Sequence, residues 1–194
     1  MKLVVKLEEK SYKLGAGDRD WGAHAYSNEF YLEPISGGGD RLIIGASSNH
    51  IDLLIELLEP LKEPFGILYV LVVSRVGHED GRYQIESPMS RNELYSFLKQ
   101  FEGYFEFDGR HAIWIMSLPD TVTLVYEQHN LIYFYGEHEA ARNSLKSKGF
   151  SKREFRIPSP HSHNYNEEYD RFEDQIFEGF GWIHFPLVED VDDP

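Results

Sequence analysis

One apolar run stands out in the pattern along the chain, because no charged residue interrupts it from position 64 to position 74. The sequence Phe-Gly-Ile-Leu-Tyr-Val-Leu-Val-Val fills positions 65–73 and does not alternate between apolar and polar residues. A strand that is apolar on both sides must be covered on both sides, and the valines and isoleucine favour a strand over a buried helix. We therefore predict an inner strand at residues 67–73 with both faces buried.

Four other segments carry apolar residues at the three- and four-residue spacing of an amphipathic helix. Asn49 is a suitable N-cap for the first, and Pro60 is expected to end it. Ser90 followed by Glu93 is the capping-box pattern that begins the second, and Gly103 is expected to end it. The third and fourth predicted helices occupy residues 137–148 and 165–178.

The remaining β-rich segments predict further strands between and around these helices. The order strand, strand, helix, strand occurs twice, at residues 26–73 and 121–157, which suggests two similar units. Convergence on a common α+β unit explains the same order equally well. We predict an α+β fold, a mainly antiparallel sheet with about four helices packed on it, with strands at residues 2–8, 26–33, 41–46, 82–86, 111–116, 121–127, 131–135 and 152–157.

The positions of prolines and charged residues predict how the chain is divided into segments. Residues 1–157 are expected to form one α+β domain, with a division into halves at 1–88 and 89–157. After a proline-marked break, residues 158–187 are expected to form a C-terminal helix and docking segment on the same domain. Residues 188–194 are acidic and are expected to form a mobile tail.

The formal net charge of −14 over 194 residues narrows the range of partners. Residues 161–194 contain ten acidic residues and a single base, Arg171. Such a chain repels nucleic-acid phosphate, so we expect no nucleic-acid binding and consider a basic protein the more suitable partner.

The absence of cysteine excludes disulfides, zinc–thiolate sites, iron–sulfur clusters and cysteine nucleophiles. No uncharged run approaches the length of about 18 residues that spans a bilayer, and the first residues do not form a signal peptide. We expect a cytoplasmic protein without membrane contact.

The best candidates for metal ligands are His161 and His163. In an extended segment, one intervening residue places both side chains on the same face, and Asp170 or a glutamate could complete a divalent metal site. Against this interpretation, no third histidine stands at a matching spacing, and Pro-His-Ser-His is ordinary loop composition. We therefore expect no bound metal and no cofactor.

A second chemically dense segment contains Asp18, Asp20, Trp21 and His24. A histidine with a nearby carboxylate is able to act as a general base, and the tryptophan is able to contact a ligand or partner. The alternative is an Asx-turn with Trp21 packed in the core.

The favoured functional hypothesis is a non-catalytic interaction or inhibitor/immunity-type module with an acidic surface for a basic partner. Besides Trp21, its contact residues are predicted to include Glu173, Phe177, Glu178 and Trp182 on the C-terminal segment. One alternative is a small hydrolytic enzyme that uses a metal or a histidine base. Another is a small-molecule binding domain with a cleft between its two halves.

Overall fold

The computed structural model describes residues 11–17 and 22–188. These residues form an α+β fold with a mostly antiparallel sheet, as predicted. The strand predicted at residues 2–8 and the acidic residues 189–194 lie outside the described ranges. None of the helices in those ranges combines the length and the apolar character that a membrane span requires.

The strands and helices are mixed along the chain and are numbered in order. The strands are β1 (Leu14–Ala16), β2 (Gly22–Ala23), β3 (Glu29–Pro34), β4 (Asp40–Gly45), β5 (Phe65–Leu71), β6 (Gly81–Ile85), β7 (His111–Ser117), β8 (Val122–Tyr126), β9 (Leu131–Tyr135), β10 (Ser151–Lys152), β11 (His161–His163) and β12 (Trp182–Phe185). The α-helices are α1 (His50–Leu58), α2 (Arg91–Gln100), α3 (Glu102–Phe107), α4 (Glu139–Ser147) and α5 (Asp170–Gly179). A short 3₁₀ turn, Glu167–Tyr169, precedes α5.

In the described ranges, nine strands form one large sheet in the order β10-β3-β4-β9-β8-β7-β5-β6-β12. Within the described residues, the pairing of β10 with β3 is the parallel one, and the other neighbours are antiparallel. A separate three-stranded sheet has the order β11-β1-β2.

The predicted inner strand is β5, which pairs with β6 on one side and β7 on the other. Its residues Ile67, Tyr69 and Leu71 point into the core beneath the helices. On the opposite face Val70 is fully buried, but Leu68 is only half-buried. The prediction of complete cover on both faces is therefore wrong at Leu68, where the sheet face is open, and at Val72 and Val73, which are half-buried. The strand also ends earlier than predicted, at Leu71.

The two faces of the large sheet support two separate cores. Strand alternation sends Leu42 and Ile44 of β4 to the helix side and sends Ile43 to the other side. On that second side, Leu14 of the small sheet packs with Ile43 and Tyr133. The small sheet therefore covers one part of the face that the helices leave free.

The helix boundaries show where local signals decide the structure. Ser90 and Glu93 form the predicted capping box at the start of α2. Gly103, predicted to end that helix, instead lies within α3, because the chain bends at Phe101 and resumes as a second short helix. Asn49 precedes α1 in a left-handed conformation with φ 55° and makes no capping bond through its side chain.

The repeated order of elements has a counterpart in the sheet. The first unit contains β3, β4 and β5, and the second contains β8, β9 and β10. A two-fold exchange about the β4–β9 pair relates β3 to β8 and β5 to β10, although β7 lies between β8 and β5. Helices α1 and α4 contribute to the same core on the same face. This symmetry accords with a duplication, which stays a prediction.

The C-terminal segment is attached to the domain at three places. Strand β11 joins the small sheet, β12 extends the large sheet beside β6, and α5 packs through Ile176 on the helix-side core. The Arg110 guanidinium, fully buried, binds Glu173 of α5 with Nη1 to Oε2 at 2.6 Å.

Candidate metal centre

The loop between β8 and β9 holds His129 in one position. Strands β8 and β9 form a hairpin, and Asn130 in its turn occupies the left-handed region with φ 61°. The Glu127 carboxylate accepts the backbone N–H groups of His129 at 3.0 Å and of Leu131 at 3.2 Å. The Tyr126 hydroxyl donates to Asn130 Oδ1 at 2.8 Å. The loop is thus fixed by side-chain hydrogen bonds on both of its flanks.

Strand β11 brings the two predicted ligands to this loop. It pairs with β1 in the register Leu14 with His163 and Ala16 with His161. Because alternate residues of a strand share a face, both imidazoles lie on the side of the small sheet where Leu14 packs against the large sheet.

His129, His161 and His163 meet at this point and form the candidate metal centre. One ring nitrogen from each lies within 4.8 Å of the corresponding nitrogens of the other two. The ring centroids are 4.7 Å to 5.2 Å apart. The third histidine, which no spacing along the chain predicted, comes from a position more than 30 residues before β11.

Hydrogen bonds determine which nitrogens of His129 and His161 carry protons. Nδ1 of His129 donates to Glu127 Oε2 at 2.6 Å, and Nδ1 of His161 donates to the Pro158 carbonyl at 2.9 Å. In the neutral rings, both Nε2 atoms then carry lone pairs. These two atoms face one another at 3.3 Å. Two lone pairs at this distance repel unless a proton or a metal ion lies between them.

The separation of the two Nε2 atoms matches the geometry of a metal ion. With Zn–N bonds of about 2.0–2.1 Å, a tetrahedral site holds its nitrogen ligands about 3.3–3.4 Å apart. The bonds of the two Nδ1 atoms to a carboxylate and a carbonyl are the outer contacts that orient histidine ligands in metal sites.

His163 is also in the form that binds metals. Its Nδ1 is buried and has no hydrogen-bond partner in the described part of the chain. Burial, followed by repulsion from His129 and His161, lowers the pKa of His163 from 6.5 to about 4, against the opposing effects of Glu127 and the Gln128 backbone. A neutral imidazole with a free nitrogen is therefore available.

Charge around the centre is balanced by a buried lysine. Lys13 is fully buried, donates from Nζ to the Phe105 carbonyl at 3.1 Å and lies 4.0 Å from the centroid of the Tyr126 ring. Burial lowers the pKa of Lys13 to about 8, and Glu127 is the strongest of the acidic neighbours that oppose the shift. The lysine ammonium thereby offsets the carboxylate that orients His129.

Access to the centre is from the side of His161, which is exposed, whereas His129 is buried. Asp170, proposed from the sequence as a further ligand, is not part of the group. It accepts hydrogen bonds from Arg75 Nε and Arg110 Nη2, both at 2.9 Å. Among the described residues, the group thus contains three histidines and no carboxylate.

The other predicted catalytic segment is described only in part. Asp18, Asp20 and Trp21 lie outside the described ranges. The ring of His24 meets Tyr26 edge to face with centroids 4.8 Å apart, and its Nε2 is buried without a hydrogen-bond partner among the described residues. Burial lowers the pKa of His24.

The residues predicted to contact a basic partner are mostly turned inward. Glu173 is fully buried in its ion pair with Arg110 and is therefore not an exposed charge. Phe177 packs between Tyr69 and Tyr83 in the helix-side core rather than standing free. Trp182 is half-buried and donates from Nε1 to the Ile176 carbonyl at 2.9 Å. Glu178 is exposed.

Comparison with known proteins adds no assignment, since no family model, no curated protein and no solved structure matches the chain.

Proposed function

We propose that this protein binds a divalent transition metal at His129, His161 and His163 and uses it in hydrolytic chemistry. The observation that carries the proposal is the 3.3 Å approach of two Nε2 atoms whose Nδ1 partners are both occupied. This replaces the expectation, drawn from the sequence, that no metal is bound.

The ligand set favours zinc among the metals available to proteins. Imidazole nitrogens suit zinc, copper, nickel and cobalt, whereas magnesium and calcium prefer oxygen ligands. Structural zinc sites are closed by four protein ligands, and catalytic ones keep a position open beside three. Three histidines and an exposed edge correspond to the second arrangement.

The chain's own residues would supply orientation and charge to this chemistry. A bound zinc ion lowers the pKa of its water to about 7, which provides hydroxide at neutral pH. Glu127 holds the His129 ring and makes it a stronger donor, and Pro158 does the same for His161. The low pKa of His163 keeps that ligand unprotonated.

The direct test loads metal-free protein with cobalt(II), whose visible spectrum reports tetrahedral nitrogen coordination, and with zinc for elemental analysis. One equivalent of either metal is expected, with loss of binding in His129→Ala and unchanged binding in the control His184→Ala, which removes an exposed histidine outside the group. The zinc-loaded protein is expected to hydrolyse p-nitrophenyl acetate faster than the metal-free protein. Equal binding by His129→Ala would rule out the centre.

A second candidate function, the binding of a basic protein, is supported by a different observation. The open part of the large sheet carries a cavity of about 320 Å³ lined by Leu68, Trp114, Met116 and Leu118, with Glu86 at its margin. A chain with a net charge of −14 attracts a basic partner to such an apolar surface.

The test of this second function introduces a positive charge at an exposed side chain of the cavity lining. Binding of a basic protein, measured at low ionic strength, should be lost in Met116→Lys, because this variant adds a repelling charge at an exposed side chain. It should be retained with Gln175→Lys, an exposed position on α5. Equal loss in both variants would exclude the cavity as the contact surface.

A further inference from the structure

Two polar atoms besides the three histidines lie buried between the small sheet and the large one. The Tyr26 hydroxyl and His24 Nε2 have no hydrogen-bond partner among the described residues. Tyr26 is only 6% exposed. Leaving a buried polar group unpaired costs about 1–3 kcal/mol. Each of these two atoms therefore needs a hydrogen-bond partner, which a bound molecule or water supplies.

The register of the small sheet places His24 in line with the metal centre. Strand β1 lies between β11 and β2, and Leu14 faces His163 across the first pairing. On the other side, the backbone N–H of His24 donates to the Leu14 carbonyl at 2.9 Å. Cross-strand neighbours point to the same face, so His163, Leu14 and His24 form one row toward the large sheet.

Packing of Tyr26 on the large sheet places it close enough to Glu127 for the two to interact electrostatically. The Tyr26 ring lies on Gly45, where a Cβ would come within 2.7 Å of Tyr26 Cγ. Gly45 pairs with Leu131, whose backbone N–H donates to Glu127. Burial and then Glu127 raise the pKa of Tyr26, so its hydroxyl stays protonated and able to donate.

We propose that Tyr26 and His24 form the substrate-binding half of the metal centre and hydrogen bond to the oxygen of an acyl ligand. This inference rests on the metal centre proposed above. Neutral donors suit a carbonyl or hydroxamate oxygen that also contacts the metal ion, because they stabilise developing negative charge at that oxygen. Position 45 requires glycine, since the side chain of any larger residue would displace the Tyr26 ring.

The test measures acetohydroxamate binding to the cobalt-loaded protein through the change in its visible spectrum. Tyr26→Phe removes one oxygen and keeps the ring. We expect acetohydroxamate to bind about tenfold more weakly, with cobalt affinity unchanged and the melting temperature not lowered. His24→Gln should weaken acetohydroxamate binding in the same direction.

The matched control is Tyr31→Phe, because the rings of Tyr31 and Tyr26 both contact Phe155. It should leave acetohydroxamate affinity unchanged. Equal acetohydroxamate affinity in wild type and Tyr26→Phe, both loaded with cobalt, would overturn the ligand-binding role alone. A parallel fall in cobalt affinity would also overturn it, because the hydroxyl would then have a structural role. Failure of wild type to bind cobalt would instead refute the metal centre and, with it, this inference.

Discussion

Two polar clusters connect the C-terminal segment to the rest of the domain, and they differ in how far their hydrogen bonds are satisfied. In the first, the guanidinium of Arg110 binds Asp108, Asp170 and Glu173, at 2.6 Å to 2.9 Å. Glu173 also accepts a hydrogen bond from the Ser74 hydroxyl. In the second, two imidazole nitrogens face one another at 3.3 Å and a third has no partner in the described ranges.

The difference separates a structural network from a binding site. A buried network in which every donor has an acceptor needs nothing from outside the chain. A group of lone pairs held together by neighbouring hydrogen bonds needs a proton or a metal ion between them, and here the surroundings hold the lone pairs in place rather than let them separate. Removal of one member should therefore affect stability in the first cluster and metal binding in the second.

The largest effect is expected from Arg110→Ala. It leaves Asp108 and Glu173 buried without their cation and should lower the free energy of unfolding by about 3–5 kcal/mol in chemical denaturation. The metal-free His161→Ala variant, which alters an exposed residue, should change it by less than about 0.5 kcal/mol. Similar losses in both would remove the distinction between the clusters.

Zinc is expected to stabilise the protein through the second cluster. At a free zinc concentration about 100 times the dissociation constant, the free energy of unfolding should rise by about 2.7 kcal/mol. The shift should vanish in His161→Ala and persist in His184→Ala. Stabilisation that survives the loss of His161 would place the zinc elsewhere.

Glu127→Gln tests the second cluster by changing the carboxylate that orients the metal ligand His129. The amide keeps an acceptor for the loop but no longer orients His129 as a carboxylate does, so zinc affinity should fall about 10- to 100-fold. The exposed control Glu178→Gln should leave it unchanged. Isothermal titration gives both affinities, and an unaltered value for Glu127→Gln would contradict the orienting role.

The smallest effect is a pH dependence that belongs to neither cluster. Burial, followed by the nearby charge of Lys13, lowers the pKa of His50 from 6.5 to about 4. The unfolded chain then takes up a proton that the folded protein refuses, so stability is lost as pH falls from about 6.5 toward 4. Between about pH 6.5 and 5.5 the loss should be about 1 kcal/mol.

Denaturation of His50→Gln across this pH range isolates the contribution of His50. His111, whose pKa burial also lowers, contributes equally to wild type and variant. A variant with the same pH slope as wild type would show that His50 takes up its proton as readily in the folded protein as in the unfolded chain.

Much of the fold was predictable because its signals are local. The unbroken apolar run became inner strand β5, and the capping box of Ser90 and Glu93 begins α2. The bend at Phe101 and the open face beside Leu68 were not predictable, since both depend on what packs against the segment.

The candidate site divides in the same way. The pairing of His161 with His163 follows from strand alternation and was read from the sequence alone. The third ligand, His129, lies between the strands predicted at residues 121–127 and 131–135 and was not among the predicted ligands. Glu127, two positions before it, is a spacing that allows a carboxylate to orient an imidazole. Spacing along the chain carried no information about a partner more than 30 residues away.

The sequence by itself determined the elements, the absence of thiol chemistry and the shared face of His161 and His163, because these depend on composition and backbone periodicity. The tertiary structure decided which of the many charged and imidazole groups are satisfied. It buried Glu173 against Arg110 and brought His129 to β11. The physical reason is that burial and pairing are properties of two segments in contact, and the contact exists only once the small sheet lies on the large one.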